Sequence, residues 1–219
     1  MSLHEYHIDG IVIITGNYDD IRIAGFSDAQ NADVEQCRNE KQRRERALIY
    51  TLLNHAGRNH KSFSHITGAS LGHHESGAPF LKVEDNQAPA TGISLSHCRS
   101  GACIALGAIT QQFGIDIEDV SDKLARVAPK FINAREATFI GHDMLLSAWT
   151  VKEAVYKAAG TPGLSLRDGI DILSVTAATS ESLSGHDFPL EATAAAAGAT
   201  FRCHIRPEDN RCLTVVHLI

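Results

Sequence analysis

Phe113-Gly114-Ile115-Asp116-Ile117-Glu118 reads as a β-strand, with β-branched residues alternating with small or acidic ones. It decides the fold because the chain begins its pattern a second time here. Upstream, residues 6–14 predict a strand and residues 32–55 a long helix, apolar at Ala47, Leu48, Ile49, Leu52 and Leu53, with Gly57 as its stop. Residues 61–86, rich in Gly, Ser and His, predict loops with short strands. Residues 93–97 and 102–107 then pair as strands around the polar turn Cys98-Arg99-Ser100-Gly101. Downstream, helical patterns cover residues 122–128, a short piece opened by Asn133, and residues 143–159, which Gly160, Pro162 and Gly163 close. Strands return at residues 170–176, 201–206 and 212–218, the last two joined by a turn at Pro207-Glu208-Asp209-Asn210. Residues 192–199 are rich in small residues but too short and too close to Gly198 to assign.

Strand, helix, strands, and then strand, helices, strands predict an α+β protein of two similar α/β halves. Each half would be a small antiparallel sheet packed with a long helix, with a pseudo-twofold relation and an active site in the cleft between them. The division falls at residues 1–110 and 111–219, and rests on element order because the halves share no visible sequence identity.

A chain of 219 residues, 43% hydrophobic and 21% charged, has ample core for such a fold. Its net charge of −6 argues against a general nucleic-acid or membrane-surface binder, which carries a basic excess. Five scattered cysteines without a CxxC pair predict a reducing compartment and no disulfide framework. Ile11-Val12-Ile13-Ile14 is too short to span a membrane and lacks a basic leader, so it reads as a buried strand, and a cytoplasmic location is expected.

Chemistry concentrates in two places. On a strand, Asp116 and Glu118 project to one face, roughly 6–7 Å apart, with Ile115 and Ile117 on the other. Two such carboxylates raise each other's pKa unless a cation lies between them, and oxygen-only ligation suits Mg²⁺. The second place is Trp149-Thr150-Val151-Lys152-Glu153-Ala154-Val155-Tyr156-Lys157. Met144, Ala148, Val151, Val155 and Ala158 form one apolar stripe. Glu153 and Lys157 lie nearly opposite that stripe, and Lys152 on its flank. Taken singly, a DxE pair also fits a solvated strand face, and Glu153 with Lys157 also fits a surface i, i+4 pair. Ser96 and His97, at a strand end, are candidate phosphate donors. His73-His74 lacks a third ligand at metal-binding spacing and reads as loop. Cys98 beside His97 is discounted as a catalytic pair, since adjacent strand residues face opposite ways. Phosphate-loop, dinucleotide and nucleophile-elbow motifs are absent.

The combination of Gly114-Ile115-Asp116-x-Glu118 with Trp149-Thr150-x-Lys152-Glu153-Ala154-x-x-Lys157 resembles the motif pair of the 4′-phosphopantetheinyl transferases. Gly92-Ile93-Ser94-Leu95-Ser96-His97, Gly77-Ala78-Pro79-Phe80, the segment from Phe131 to Glu136, and Gly163-Leu164-Ser165-Leu166 are similar to further family segments. The resemblance spans about residues 40–175, and the chain length fits the larger single-chain type with two similar halves. It implies transfer of the 4′-phosphopantetheine arm of coenzyme A to a serine of an apo acyl or peptidyl carrier protein, releasing 3′,5′-ADP. By the same resemblance, Asp116, Glu118 and Glu153 would hold Mg²⁺, and Glu153, Lys157 and Asp116 would be catalytic. Ser96, His97, Lys152, Lys157 and Arg46 would bind coenzyme A, with residues 1–110 as the nucleotide side, and the protein would be a monomer. Ala78 stands where the family has lysine, Arg46 and Tyr50 stand where the family commonly carries a tryptophan and, one turn past it, an arginine, for which Arg43, Arg44 or Arg46 would substitute, and the gap between the two motifs is short. Two other readings stay open: a degenerate homologue that binds carrier proteins without turnover, and a different metal-assisted phosphotransferase.

Overall fold

Residues 3–83, 90–178 and 187–219 are described by a computed structural model, and the chain divides into two units, Met1–Thr110 and Gln111–Ile219. The expected first strand is a hairpin of β1 (His4–Ile8) and β2 (Ile11–Asn17). Asp9 at φ 46° and Gly10 at φ 79° turn the chain between them. Two successive positive φ values match the right-handed twist of a two-residue hairpin, and Asp-Gly is its favoured dipeptide.

The expected single helix is likewise two. α1 (Asp28–Glu35) starts on Ser27, whose hydroxyl accepts from the Gln30 amide in a capping box. α2 (Glu40–Asn59) starts on Asn39, whose side chain accepts from the Gln42 amide. Each cap satisfies an amide that the first helical turn cannot pair internally. Gly57 does not stop α2 but lies within it. A Cβ there would meet Thr67 Oγ1 at 2.3 Å and the Thr67 amide nitrogen at 2.9 Å, so the glycine serves close packing.

After α2, a 3-10 helix, Lys61–Ile66, leads into β3 (Ser70–His73) and β4 (Pro79–Lys82), a separate two-stranded ribbon. The last three residues of the expected 61–86 region lie outside the described residues. β5 (Thr91–His97) and β6 (Gly101–Ala108) complete a sheet of order β1-β2-β6-β5. The buried face of α2, including Leu48, Ile49, Leu52 and Leu53, packs with Val12, Ile14, Ile104 and Leu106 of that sheet.

The second unit opens on β7 (Phe113–Asp119). The short α3 (Leu124–Val127) and three 3-10 turns precede α4 (Leu145–Ala159), which ends on Gly160 at φ 59°. The sheet continues with β8 (Ile170–Ala177), β9 (Leu190–Ala196), β10 (Ala199–Pro207) and β11 (Arg211–Leu218), in the order β7-β11-β10-β9-β8. Alanine-rich β9 is a true strand. Ala197 at φ 51° and Gly198 at φ 79° form a tight turn into β10, so the ladder overrides alanine's weak strand preference. α4 buries Ala148, Val151, Ala154, Val155 and Ala158 against this sheet.

The architecture is thus mixed helix and sheet, with every described strand pairing antiparallel. In each unit the strand that precedes the long helix pairs with the unit's last strand, β2 with β6 and β7 with β11. None of the five cysteines is joined in a disulfide. Among the described residues, no helix is long and apolar enough to cross a membrane.

Candidate active site

In the second unit the site begins at Gly114. A Cβ there would meet the Ala154 carbonyl oxygen at 2.1 Å and the Ala158 nitrogen at 2.9 Å. Only glycine lets α4 lie this close to β7. Two residues along, Asp116 faces the same side of the strand, opposite Thr214 of β11. Thr214 Oγ1 lies 2.7 Å from Thr150 Oγ1, joining β11 to α4 beside the acid.

This close approach sets the charges. Lys157 Nζ donates to Asp116 Oδ1 at 2.7 Å and to the Ile115 carbonyl at 2.9 Å. The lysine therefore bridges α4 to β7. Asp116 is only 5% exposed, so its strand face is not solvated. Glu118 and Glu153 are half-buried. Burial pushes the carboxyl of Glu153 up, and Asp116 pushes it further, while Lys157 opposes them. Burial likewise raises Glu118, followed by Asp116; a hydrogen bond from the Asp119 backbone opposes them, and the charges of Asp119 and Glu153 add to the rise. Asp116, Glu118, Glu153 and Lys157 thus share one electrostatic neighbourhood. Three mutually repelling oxygen donors are a set that a hard divalent cation relieves.

Lys152 sits elsewhere. Instead of lying on an accessible flank, it is fully buried and paired with the equally buried Glu136. Its Nζ donates to Glu136 Oε2 and to the Ile170 carbonyl, each at 2.8 Å. Glu136 Oε2 also accepts from the Asn133 amide at 2.9 Å, and its Oε1 from the Ile172 amide at 2.7 Å. The 3-10 segment Glu136–Thr138 thus carries the partner of Lys152. Trp149 packs edge-on against Phe131 at 5.1 Å, on the same side of the core.

In the first unit, Arg46 and His97 line one cavity of about 470 Å³, together with Asp33, Glu45 and His73. His97 Nδ1 lies 3.4 Å from Glu45 Oε1. Ser96 does not join them. It is 8% exposed and alternates with outward His97 on β5, because successive strand side chains point to opposite faces. Arg46 pairs with Asp33, which also accepts from the Tyr50 hydroxyl. Burial and that aspartate push the Tyr50 hydroxyl up to about 12. The sequence reading assigned Glu136 no role and missed Asp33. For Glu136 a signal existed, since Lys152 follows Ala148 by four and precedes Val155 by three, and so has core neighbours on its own face. For Asp33 there was none, because its partners lie on another helix.

No curated protein matches this chain. A family model does, that of the 4′-phosphopantetheinyl transferase superfamily, over residues 112–216. That stretch runs from the start of β7 nearly to the end of β11 and contains Asp116, Glu118, Glu153 and Lys157, so the chain carries in its second unit a domain that belongs to the 4′-phosphopantetheinyl transferase superfamily.

Proposed function

We propose that this protein transfers the 4′-phosphopantetheine moiety of coenzyme A to a serine hydroxyl of an apo acyl or peptidyl carrier protein, in a Mg²⁺-dependent reaction that releases 3′,5′-ADP. The observation that carries this reading is the grouping of Asp116, Glu118 and Glu153 with Lys157 bonded to Asp116. In the bond change, the serine oxygen joins the phosphorus bearing the pantetheine arm, the bond from that phosphorus to the ADP oxygen breaks, and the serine proton leaves.

Asp116, Glu118 and Glu153 would hold Mg²⁺, whose bound charge offsets that of the pyrophosphate. Glu153 accepts the serine proton. Lys157 donates to Asp116 and adds positive charge beside the transferring phosphoryl group. In the first unit, Arg46 and His97 hold the phosphates of the coenzyme A nucleotide at the wall of the cavity they share. Lys152 and Ser96 touch no ligand in this reading. The protein acts as a cytoplasmic monomer.

The test is mass spectrometry of an apo carrier incubated with the protein, coenzyme A and Mg²⁺. A gain of one phosphopantetheine mass is expected, abolished in both Asp116→Ala and Glu153→Ala, with folding checked by circular dichroism. Full transfer by both variants would overturn the metal assignment. Tight carrier binding without transfer would favour a binding module instead.

A further inference from the structure

We infer that Asp33 and Tyr50 are positioning residues for Arg46, and that they fix its guanidinium as the anion grip of the first unit's cavity. This rests on the proposed coenzyme A reading. A relay of hydrogen bonds crosses three elements. The Leu71 amide, on β3, donates to Tyr50 Oη at 3.1 Å. The Tyr50 hydroxyl donates to Asp33 Oδ2, and Arg46 Nη1 donates to that same oxygen. Asp33 belongs to α1, while Arg46 and Tyr50 stand one turn apart on α2.

The anchor of the relay is rigid. Tyr50 has no exposed surface, and its ring meets Phe26 edge-on at 5.9 Å. A buried hydroxyl that both receives and gives a hydrogen bond has one rotor orientation. Asp33 is thereby held, and through it one edge of the guanidinium. A guanidinium carries five N–H donors in a planar fork. Fixing one edge directs the others at the cavity that Arg46 shares with His97. Without Asp33, a long side chain with a quarter of its surface exposed would sample many rotamers, and ordering it would cost binding energy. The ligand class is a phosphate ester on a nucleotide, which a planar fork recognises bidentately.

A double-mutant cycle measured by calorimetry, with coenzyme A as the probe and Mg²⁺ present, tests this. Arg46→Ala is expected to weaken binding by about tenfold or more, as loss of a charge-assisted hydrogen bond does. Tyr50→Phe in the wild-type background should weaken it severalfold, raising KM for coenzyme A with kcat unchanged. In the Arg46→Ala background, Tyr50→Phe should have no further effect, and Asp33→Asn should behave the same way. Equal losses in both backgrounds, or a fall in kcat at constant KM, would mean that Tyr50 acts through the fold alone and would overturn the inference. Failure of the wild-type protein itself to bind coenzyme A would instead remove the parent reading, and the inference with it.

Discussion

Replacing Lys152 by Met removes an ammonium from a place that water does not reach, and the cost can be worked from its partners. Lys152 and Glu136 are both 0% exposed and 2.8 Å apart. Methionine preserves length and helix propensity but leaves the Glu136 carboxylate without its cation. The Asn133 and Ile172 amides still donate to it, which offsets part of the charge. Breaking a buried pair on one side costs about 3–5 kcal/mol. The same amides explain why an apolar replacement of both partners would fail here. Leucine at position 136 would orphan two backbone donors, each worth roughly 1–3 kcal/mol. Lys152→Met with Glu136→Gln is the better double variant, since the amide oxygen still accepts from one of the two backbone donors, and its cost should fall clearly below the sum of the two single changes.

Urea unfolding at neutral pH, followed by fluorescence of Trp149, measures these values. Trp149 is the one tryptophan of the chain, and it packs on Phe131 in the core of the same unit. The pH dependence has a fixed sign. Burial holds the Lys152 ammonium below the usual lysine range, outweighing the pull of Glu136. Between that lowered value and the ordinary one near 10.4, the unfolded chain binds more protons, so wild-type stability gains from Lys152 as pH rises. Lys152→Met should lack that rise. A loss below about 0.5 kcal/mol in Lys152→Met, within the range of an ordinary surface change, would refute the keystone role of the pair. Retained coenzyme A affinity in folded Lys152→Met would show that the lysine serves structure and not the ligand.

Four other changes probe the remaining parts of the site. The raised carboxyl of Glu153 contributes stability that is present below the ordinary glutamate pKa and is lost as pH rises through the folded value. Metal-free Glu153→Gln should therefore gain on the wild type across that interval in thermal melts, and Mg²⁺ should raise the wild-type Tm but not the variant's. Gly114→Ala drives a Cβ into the Ala154 carbonyl, so about 1–3 kcal/mol of destabilisation is expected, along with loss of transfer activity as Lys157 is moved from Asp116. Unchanged melting and activity would show that α4 tolerates the shift. His97→Ala should weaken coenzyme A binding while Ser96→Ala leaves it intact, as calorimetry can read, because only His97 lines the cavity.

The parts of the molecule legible in the sequence are those that a local rule encodes. β7 and α4 followed from alternation and from the apolar stripe, and Gly160 marked the end of α4 by its left-handed φ of 59°. Asp9-Gly10 was legible as well. The apolar run on its far side drew the reading into one continuous strand, although the dipeptide is a direct hairpin signal. Alternation along β5 also sets Ser96 and His97 on opposite faces, as it does His97 and Cys98. Residues 192–199 failed for a different reason, since alanine carries little strand preference of its own and β9 exists because β8 and β10 flank it.

What no local rule encodes is which flank of a helix another segment will cover. The stripe on α4 fixed Ala148, Val151 and Val155 as core, and angular position alone left Lys152 at the margin between core and water. The margin went to the core because Glu136, sixteen residues upstream, brought a carboxylate to it. The neighbouring Glu153 went the other way, toward Asp116 and Lys157. Adjacent charged residues on one helix were thus divided between holding the fold and furnishing the candidate metal site, and the division follows from which strand or turn each meets. The two glycines make the same point at the backbone. Gly57 and Gly114 both sit where a Cβ would strike a neighbouring element at under 2.5 Å. The sequence displays each as a flexible residue, yet each is required for the closeness of what it packs against. At Gly114 that closeness lets a lysine on α4 reach a carboxylate on β7, and the proposed catalytic chemistry depends on it.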